Sequence, residues 1–335
     1  MTFRVGIVGF RGYSGAELVR ILSRHPAMKP VLLEHRADAE DHSAPHGSAG
    51  PERLPSTPES VRAAGLAAVL LATPPEVSME LAPALLSGGA KVVDLSGAFR
   101  LGTPEMYLRW YKEPHTQAAL LEQAVYGLPE FHRDRIPAAC LISNPGCYPT
   151  AANLALRPLL AAGCIERAHG IVCDAKSGVS GAGRKPSLKT SFCEVTENFS
   201  AYSILDHRHV PEVLQQSGLE EAEFSFTAQL LPLDRGILET IYFRTPPGVT
   251  AADLTAVYVK QYAREPFVRL YDPGRVPDLR AVRHTNFCDI AVKLDPATRR
   301  AVVVSAIDNL VKGAAGQAVQ NLNLLLGRPE TEGLL

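Results

Sequence analysis

The chain has 335 residues, of which 46% are hydrophobic, and a formal net charge of −1. This length allows a sizeable core and exceeds that of most single domains, so we expect two domains. The near-zero charge, without a long run of Lys or Arg, argues against nucleic acid as a partner, and no apolar run reaches the roughly 18 residues of a membrane span. Composition therefore favours small-molecule chemistry.

The six cysteines are irregularly spaced and form no C-x-x-C pair, which argues against both a zinc site and a disulfide framework. The N-terminal residues run directly into a strand pattern, without the charged and apolar regions of a signal peptide. We therefore expect a cytoplasmic protein with no bound metal.

The first half of the chain alternates strand and helix patterns. Strands are predicted at residues 3–8, 31–34, 67–72 and 91–95, and helices at 16–22 and 76–86. Such alternation indicates a parallel sheet, so we expect an α/β domain of Rossmann type. Residues 36–60 are rich in Pro, Gly, Ser and His, lack clear periodicity and are interpreted as a loop.

The second half has a different pattern. Helices are predicted at about 150–161, 251–263 and 317–326, and strands at 170–175, 224–231, 237–244, 287–294 and 301–307. Several strands with few crossovers indicate a mixed or antiparallel sheet, hence an α+β domain. The boundary between the two domains is expected near Asn144.

A glycine-rich turn follows the first strand, with Gly9, Gly12 and Gly15 three residues apart. It departs from the common G-x-G-x-x-G pattern because position 11 is Arg. Glycines at this spacing permit a tight turn, a close approach of backbone N–H groups to a phosphate, and close contact between helix and strand. The pattern favours nucleotide binding over an ordinary turn, with these candidate contacts: Gly9, Arg11, Gly12, Tyr13, Ser14 and Gly15.

The end of the second strand bears on the choice of dinucleotide. An acidic residue there binds the adenosine ribose of NAD, whereas arginine accommodates the 2′-phosphate of NADP. Arg36, together with Arg11, favours NADP, while Glu34 leaves NAD as the alternative. Arg36 as an ordinary solvated loop cation is a further interpretation.

Cys147 lies on a rigid turn, Asn144-Pro145-Gly146, directly before an apolar helix pattern. The start of a helix presents unpaired N–H groups and a partial positive charge, and both stabilise a thiolate. The alternative is an inert buried thiol, as most intracellular cysteines are. The other five cysteines lack this setting, and we predict that Cys147 is a nucleophile attacking an acyl carbon.

Covalent redox chemistry at a thiolate needs an acid or base, and histidine titrates near neutral pH. His207 and His209 stand out because they lie in a polar segment ahead of a predicted helix. In an extended segment the two side chains would alternate in direction, so that one faces the thiolate. A metal site and a purely structural pair are the competing interpretations.

Two further segments could hold an anionic substrate. The glycine-rich turn 177–184, which contains Ser180 and Arg184, offers backbone N–H groups and a guanidinium. An ordinary hairpin connection is the alternative for this turn. Arg235 precedes a strand pattern and could pair with a phosphate or carboxylate, and His209 is the fourth candidate for substrate binding.

Eight sequence blocks in the same order resemble the N-acetyl-gamma-glutamyl-phosphate reductase family. The resemblance covers almost the whole chain and rests on residues 12–18, 94–101, 126–130, 144–151, 177–184, 207–212, 235–238 and 308–318. The sequence departs from the family pattern at Phe10-Arg11 and at Asp234.

The resemblance implies an NADP-binding domain at 1–146, completed by a C-terminal helix in 308–335, and a catalytic domain at 147–307 like that of glyceraldehyde-phosphate dehydrogenase. It also implies that Cys147 is the nucleophile, that His207 is the acid/base and that Asn309 lies beside the nicotinamide. The expected reaction is NADPH-dependent reduction of an acyl phosphate to a semialdehyde in arginine biosynthesis, by a homodimer or homotetramer.

Three other functions compete with this one. A related reductase could act on a longer or carrier-protein-linked acyl phosphate, although Tyr148-Pro149-Thr150 favours the acetylglutamyl substrate. The chain could instead be a cysteine acyltransferase or hydrolase with a merely structural glycine turn. A non-catalytic dinucleotide sensor is the third alternative.

Overall fold

The computed structural model describes residues 2–35 and 50–335. The chain divides into two compact units, the first formed by the residues up to Pro145 together with Ala314–Leu335, the second by Gly146–Gly313. Arg36, one of the predicted cofactor contacts, lies outside the described residues.

The first unit contains a seven-stranded sheet in the order β3-β2-β1-β4-β5-β7-β6. All its neighbouring strands are parallel. Its strands are β1 (Phe3–Val8), β2 (Met28–Glu34), β3 (Arg53–Pro55), β4 (Ala68–Leu71), β5 (Lys91–Asp94), β6 (Val125–Tyr126) and β7 (Leu141–Ser143). Its helices before residue 145 are α1 (Tyr13–Leu22), α2 (Pro58–Ala63), α3 (Pro75–Ser87), α4 (Pro104–Tyr111), α5 (Ala118–Gln123) and α6 (Pro129–His132).

The position of β1 in this sheet determines where a ligand can bind. β1 lies between β2 and β4, so the strand order reverses beside it. In open parallel sheets, ligands bind outside the carboxyl ends of the strands at such a reversal. The glycine turn that follows Val8 occupies this position.

The second unit contains a seven-stranded mixed sheet in the order β12-β13-β14-β11-β8-β10-β9. Its strands are β8 (Ile171–Gly178), β9 (Ser200–Tyr202), β10 (Phe224–Leu231), β11 (Ile237–Arg244), β12 (Val268–Leu270), β13 (Cys288–Asp295) and β14 (Arg300–Ile307). Its helices are α7 (Cys147–Ala161), α8 (Phe192–Val195), α9 (Val210–Ser217), α10 (Ala251–Tyr262) and α11 (Leu279–Val282).

The core of the second unit forms where α7 packs on the central strands β11 and β14. Alternate residues of β11 are buried, including Ile237, Ile241 and Phe243, as expected for a strand with one covered face. Tyr242 points to the other face and is 44% exposed. Helix α7 is therefore held firmly against the sheet, with its N-terminus at the start of the unit.

The last helix, α12 (Gly316–Leu325), belongs to the first unit and follows a short π-helical segment, Val311–Ala315. The Asn321 amide donates hydrogen bonds to the Gly127 carbonyl at 2.8 Å and to the side chain of Asn144 at 3.1 Å. Lys91 on β5 donates to the carbonyl of Leu325 at 3.0 Å. These bonds attach the C-terminal helix to the parallel sheet.

The predicted fold class, a Rossmann-type α/β unit plus an α+β unit with a mixed sheet, is confirmed. The helix predicted after His209 is α9. The helices α8 and α11, which also lie among the later strands, were not predicted, because each has four residues, too few for a clear 3.6-residue period. Helix α7 begins at Cys147, three residues before the predicted start.

Candidate active site

Cys147 is the first residue of α7 and is half-buried. The preceding residue, Gly146, has φ −67° and ψ 155°, no side chain caps the helix, and its first turn contains no acidic residue. Within the helix itself, no side chain competes with the thiol for the positive end of the helix dipole, which favours the thiolate. All six cysteines lie in the described ranges and none of them is in a disulfide there, and three of them, Cys164, Cys173 and Cys288, are buried.

The backbone around the thiol is held from several sides. The Gly146 carbonyl accepts hydrogen bonds from the Thr150 N–H at 3.0 Å and the Thr150 hydroxyl at 2.9 Å. The Gly146 N–H donates to Oε2 of Glu212 at 3.0 Å. On another side, a Cβ added to Gly313 would lie 2.7 Å from the Cys147 Cβ, so only glycine fits there without a shift.

The two histidines lie together beside the nucleophile helix. His207 and His209 are buried, their ring centroids are 4.9 Å apart, and both rings contact the Tyr148 ring edge to face. The expectation that they alternate in direction was wrong, because the segment is a turn rather than an extended strand. The turn is closed by a hydrogen bond from the His209 N–H to His207 Nδ1 at 3.1 Å.

This hydrogen bond decides what His207 can do. Because Nδ1 accepts a hydrogen bond from the His209 N–H, the neutral ring carries its own proton on Nε2. Burial, with the charge of Arg208 as a second cause, lowers the pKa of His207 to about 4. At neutral pH, His207 is therefore a neutral hydrogen-bond donor through Nε2.

Cys147, His207 and His209 all line one cavity of about 660 Å³ in the second unit. Much of its wall comes from the segment 187–206, including Tyr202, whose hydroxyl lies 3.0 Å from that of Tyr148. The charged residues that line it are Lys189, Arg208, Glu194 and Asp206. The cavity thus combines a nucleophile, a hydrogen-bond donor and two cationic side chains that can pair with an anionic acyl substrate.

The other predicted substrate and cofactor residues of this unit have different positions. The Ser180 hydroxyl accepts a hydrogen bond from the Asn309 amide at 3.0 Å, and the Asn309 carbonyl accepts from the Gly236 N–H at 2.7 Å. Arg184 is exposed, and Arg235 pairs with the buried Asp308 at 3.4 Å. Neither arginine lines the cavity that contains Cys147.

In the glycine turn of the first unit, the three glycines differ in how much space a side chain would have. Gly9 has φ +76°, and a Cβ there would lie 2.3 Å from the Ala72 carbonyl oxygen. A Cβ on Gly15 would lie 2.1 Å from the Gly9 carbonyl oxygen, whereas Gly12 meets only that oxygen, at 3.4 Å. Gly9 and Gly15 thus allow the turn and the helix contact, and Gly12 leaves the start of α1 open. Helix α1, with Tyr13 and Ser14 in its first turn, has no side-chain cap, which fits a phosphate ligand.

Two arginines lie against the ring of Phe10 in the same turn. The guanidinium carbons of Arg11 and Arg53 are 5.1 Å and 5.7 Å from the ring centroid. Arg53 also lies 3.5 Å from the Glu34 carboxylate at the end of β2. Sequence reasoning missed Arg53, because it lies on a three-residue edge strand in a stretch without periodicity.

Across residues 2–35 and 50–335, no group of three or more His, Cys, Asp and Glu side chains is placed to hold a metal ion. Within the same ranges, no helix is both long and apolar enough to span a membrane.

Two family models match the chain. The semialdehyde dehydrogenase NAD binding domain matches residues 4–139, and the semialdehyde dehydrogenase dimerisation domain matches residues 147–309. Together with the parallel sheet and the cysteine at a helix start, these matches define a protein of the semialdehyde dehydrogenase class.

Curated relatives narrow this class further. N-acetyl-gamma-glutamyl-phosphate reductase from Symbiobacterium thermophilum is 48% identical, with 100% of this chain and 98% of the relative covered. The enzymes of the same name from Desulforudis audaxviator and Geobacillus stearothermophilus are 49% and 46% identical, with 99% and 98% of this chain and 98% and 97% of the relatives covered. The chain belongs to the N-acetyl-gamma-glutamyl-phosphate reductase family.

Solved structures share the fold at low identity. Aspartate semialdehyde dehydrogenase II from Vibrio cholerae has a TM-score of 0.71 at 17% identity, covering 98% of this chain and 99% of that one. Aspartate semialdehyde dehydrogenase with NADP from Candida albicans has a TM-score of 0.70 at 14% identity, covering 97% and 99%. These likenesses support the fold alone.

Proposed function

We propose that this chain reduces N-acetyl-gamma-glutamyl phosphate to N-acetylglutamate semialdehyde and phosphate with NADPH, as a step of arginine biosynthesis. The observation that carries the proposal is the thiol of Cys147 at an uncapped helix start, in one cavity with the neutral His207. The family of the chain supports the same reaction.

The first step is acyl transfer to the cysteine. The Cys147 thiolate attacks the acyl carbon, the new C–S bond forms, and phosphate leaves with the electron pair of the broken C–O bond. The helix N-terminus stabilises the thiolate before attack. During attack, negative charge develops on the acyl oxygen, where the His207 Nε2–H is proposed to donate a hydrogen bond.

The second step reduces the thioester. Bound NADPH would supply a hydride to the thioester carbon, which would become the tetrahedral carbon of a thiohemiacetal on Cys147. His207 again donates a hydrogen bond from Nε2 to the oxygen, which is the role proposed for the acid/base that the family resemblance implies. Collapse of this species releases the aldehyde and returns the electron pair to the Cys147 sulfur, so the thiolate is regenerated.

Substrate recognition is proposed to rest on the anionic groups of the acyl phosphate. Of the residues predicted from sequence, His209 lines the cavity and Ser180 adjoins Gly181, which also lines it. Arg208 adds positive charge next to His207, and guanidinium suits phosphate. Arg184 and Arg235 stay candidates from the sequence pattern.

Cofactor binding is proposed to use the glycine turn and the start of α1, where Gly9, Gly12 and Gly15 admit a pyrophosphate. Arg11 and Arg53, which both lie against the Phe10 ring, are proposed to hold the 2′-phosphate of NADP, together with Arg36. Asn309 is proposed to lie beside the nicotinamide, as the family resemblance implies.

Assembly is proposed to use the uncovered face of the mixed sheet. Val172 and Tyr242 are cross-strand neighbours on that face and are 45% and 44% exposed. A second copy of the chain would cover these side chains in a homodimer, in keeping with the matched dimerisation domain. A cytoplasmic location is proposed, in keeping with six cysteines that form no disulfide among the described residues.

The test is the reverse reaction, phosphate-dependent reduction of NADP by N-acetylglutamate semialdehyde, followed through NADPH absorbance. We expect turnover with phosphate, none without it, and slower turnover with NAD. A carrier-linked substrate would leave the free semialdehyde unconverted. Hydrolysis of an activated ester without any nucleotide-dependent turnover would instead support a cysteine hydrolase.

A further inference from the structure

We propose that Glu212 is a positioning residue for the nucleophile, because it fixes the peptide that precedes Cys147 through a hydrogen bond from another helix. Glu212 is the third residue of α9, and its side chain is fully buried. Its Oε2 accepts the Gly146 N–H at 3.0 Å, across 66 residues of sequence. The inference builds on the proposed role of Cys147.

The start of α7 explains why an acceptor from elsewhere is needed. In a capping box, the side chain of the third helical residue accepts the N–H of the residue before the helix. In α7 that third residue is Pro149, which has no side-chain acceptor, and the residue before the helix is Gly146, which has no side chain. Glu212 makes from α9 the bond that α7 cannot make itself.

The arrangement leaves the front of the helix to the thiol. A serine or aspartate cap on α7 itself would place an oxygen on the N–H groups that are to stabilise the thiolate. Glu212 instead takes the N–H of Gly146, one residue earlier, and no side chain caps the helix. The helix start is thus anchored without a side-chain cap on its own first N–H groups.

The hydrogen bond between Gly146 and Glu212 also controls the direction of the Cys147 side chain. Residue 146 is glycine, the residue type with the greatest backbone freedom. Rotation of its peptide would redirect the Cα–Cβ bond of Cys147. Glu212 holds the N–H of Gly146, and Thr150 holds its carbonyl. Since a displacement of about 1 Å at a reacting atom can cost about 10²-fold in rate, loss of one holder should slow attack.

The experiment uses Glu212→Asp and Glu212→Gln as a matched pair. Asp keeps the carboxylate but shortens the side chain, so the acceptor no longer reaches Gly146. Gln removes the carboxylate and keeps an acceptor oxygen at the same distance. The probe is p-nitrophenyl acetate, an activated ester that acylates thiolates, with the burst of nitrophenol giving both a rate and an amplitude.

We expect Glu212→Asp to slow the burst about 10- to 100-fold at full amplitude. Glu212→Gln should stay within about threefold of the wild-type rate, and NADPH affinity, measured by fluorescence, should be unchanged in both. Peptide mass spectrometry should locate the acetyl group on Cys147. Glu239→Gln, at another fully buried glutamate of the same unit, is the control for disturbing a buried carboxyl group and should keep the wild-type rate.

Three results would overturn the inference. A slow Gln variant beside a normal Asp variant would show that charge, not reach, matters. An unchanged burst rate with reduced amplitude would mean that Glu212 only supports folding. A normal rate in both variants would remove any role. Because the ester needs neither nucleotide nor acyl phosphate, absence of semialdehyde turnover in the wild-type protein would reject the proposed function without touching this result.

Discussion

The two helix starts that matter for function, those of α1 and α7, have almost the same backbone. Gly12 precedes α1 with φ −70° and ψ 166°, and Gly146 precedes α7 with φ −67° and ψ 155°. Neither helix has a side-chain cap or an acidic residue in its first turn. Both therefore present the same positive helix end, one to a phosphate and the other to a thiolate.

What differs is how far away the supporting groups lie in the sequence. The Gly12 N–H donates to the carbonyl of Gly9 at 3.0 Å, within the same turn. The Gly146 N–H donates to Glu212, and the Cβ of Cys147 meets Gly313. A site for an exchangeable ligand can be built by a local turn, whereas a covalent nucleophile is fixed by residues from distant parts of the chain.

The largest effect is expected from Cys147→Ser, which removes the thiolate and leaves the glycine turn intact. A serine hydroxyl stays protonated at this helix start, so turnover should fall at least about 10³-fold. NADPH affinity, measured by fluorescence titration, should stay within about twofold. Turnover above a tenth of the wild-type rate would contradict the covalent mechanism.

His207→Ala should come next, with a loss of about 10²- to 10⁴-fold in turnover, the range for a positioned acid/base. His209→Ala should be milder, because His209 contacts His207 through its backbone N–H, which alanine retains. Steady-state kinetics of the two variants provide the measurement. The opposite order would assign the acid/base to His209.

His207 should also make stability depend on pH. Burial first, and Arg208 second, lower its pKa from 6.5 to about 4 in the folded state. Between pH 6.5 and 4 the unfolded chain thus binds more protons, so the free energy of unfolding should fall by roughly 2–3 kcal/mol as pH falls through this range. Urea unfolding at several pH values measures it, and His207→Gln should remove this part of the slope. An equal slope in the variant would reject the assignment.

Two glycine variants, one at each helix start, test whether the nucleotide site and the nucleophile are supported independently. Gly313→Ala places a Cβ 2.7 Å from that of Cys147 and should slow ester acylation about tenfold or more, with NADPH affinity unchanged. Gly12→Ala should weaken NADPH binding through the lost close approach of a phosphate, with acylation unchanged. If each variant impaired both measurements, the two helix starts would not be independent.

The smallest effect is expected from Arg53→Gln, which tests the proposed 2′-phosphate contact. Loss of one guanidinium should weaken NADPH binding about tenfold and leave NADH binding unchanged, since NADH lacks the 2′-phosphate. Arg62→Gln, on the exposed side of α2, is the matched control. An equal loss for both nucleotides would exclude a role in choosing NADP.

The sequence by itself determined the features that depend on neighbouring residues. The glycine turn, the strand before it and the helix after it all lie within residues 3–22, so their pattern is readable locally. The position of Cys147 before a helix was equally local, since Pro145 and Gly146 precede it directly. The alternation of strands and helices was enough to predict the fold class.

Only the tertiary structure decided which distant groups meet. Glu212 and Gly313 reach the Cys147 turn from 66 and 166 residues away, and no periodicity predicts such contacts. His207 and His209 line the same cavity because the segment between them is a turn. An extended segment, as predicted from sequence, would have placed them on opposite sides. Arg53 contacts the Phe10 ring because the sheet places β3, a three-residue edge strand, close to the glycine turn. Local pattern specifies elements, while burial and packing specify which side chains those elements bring together.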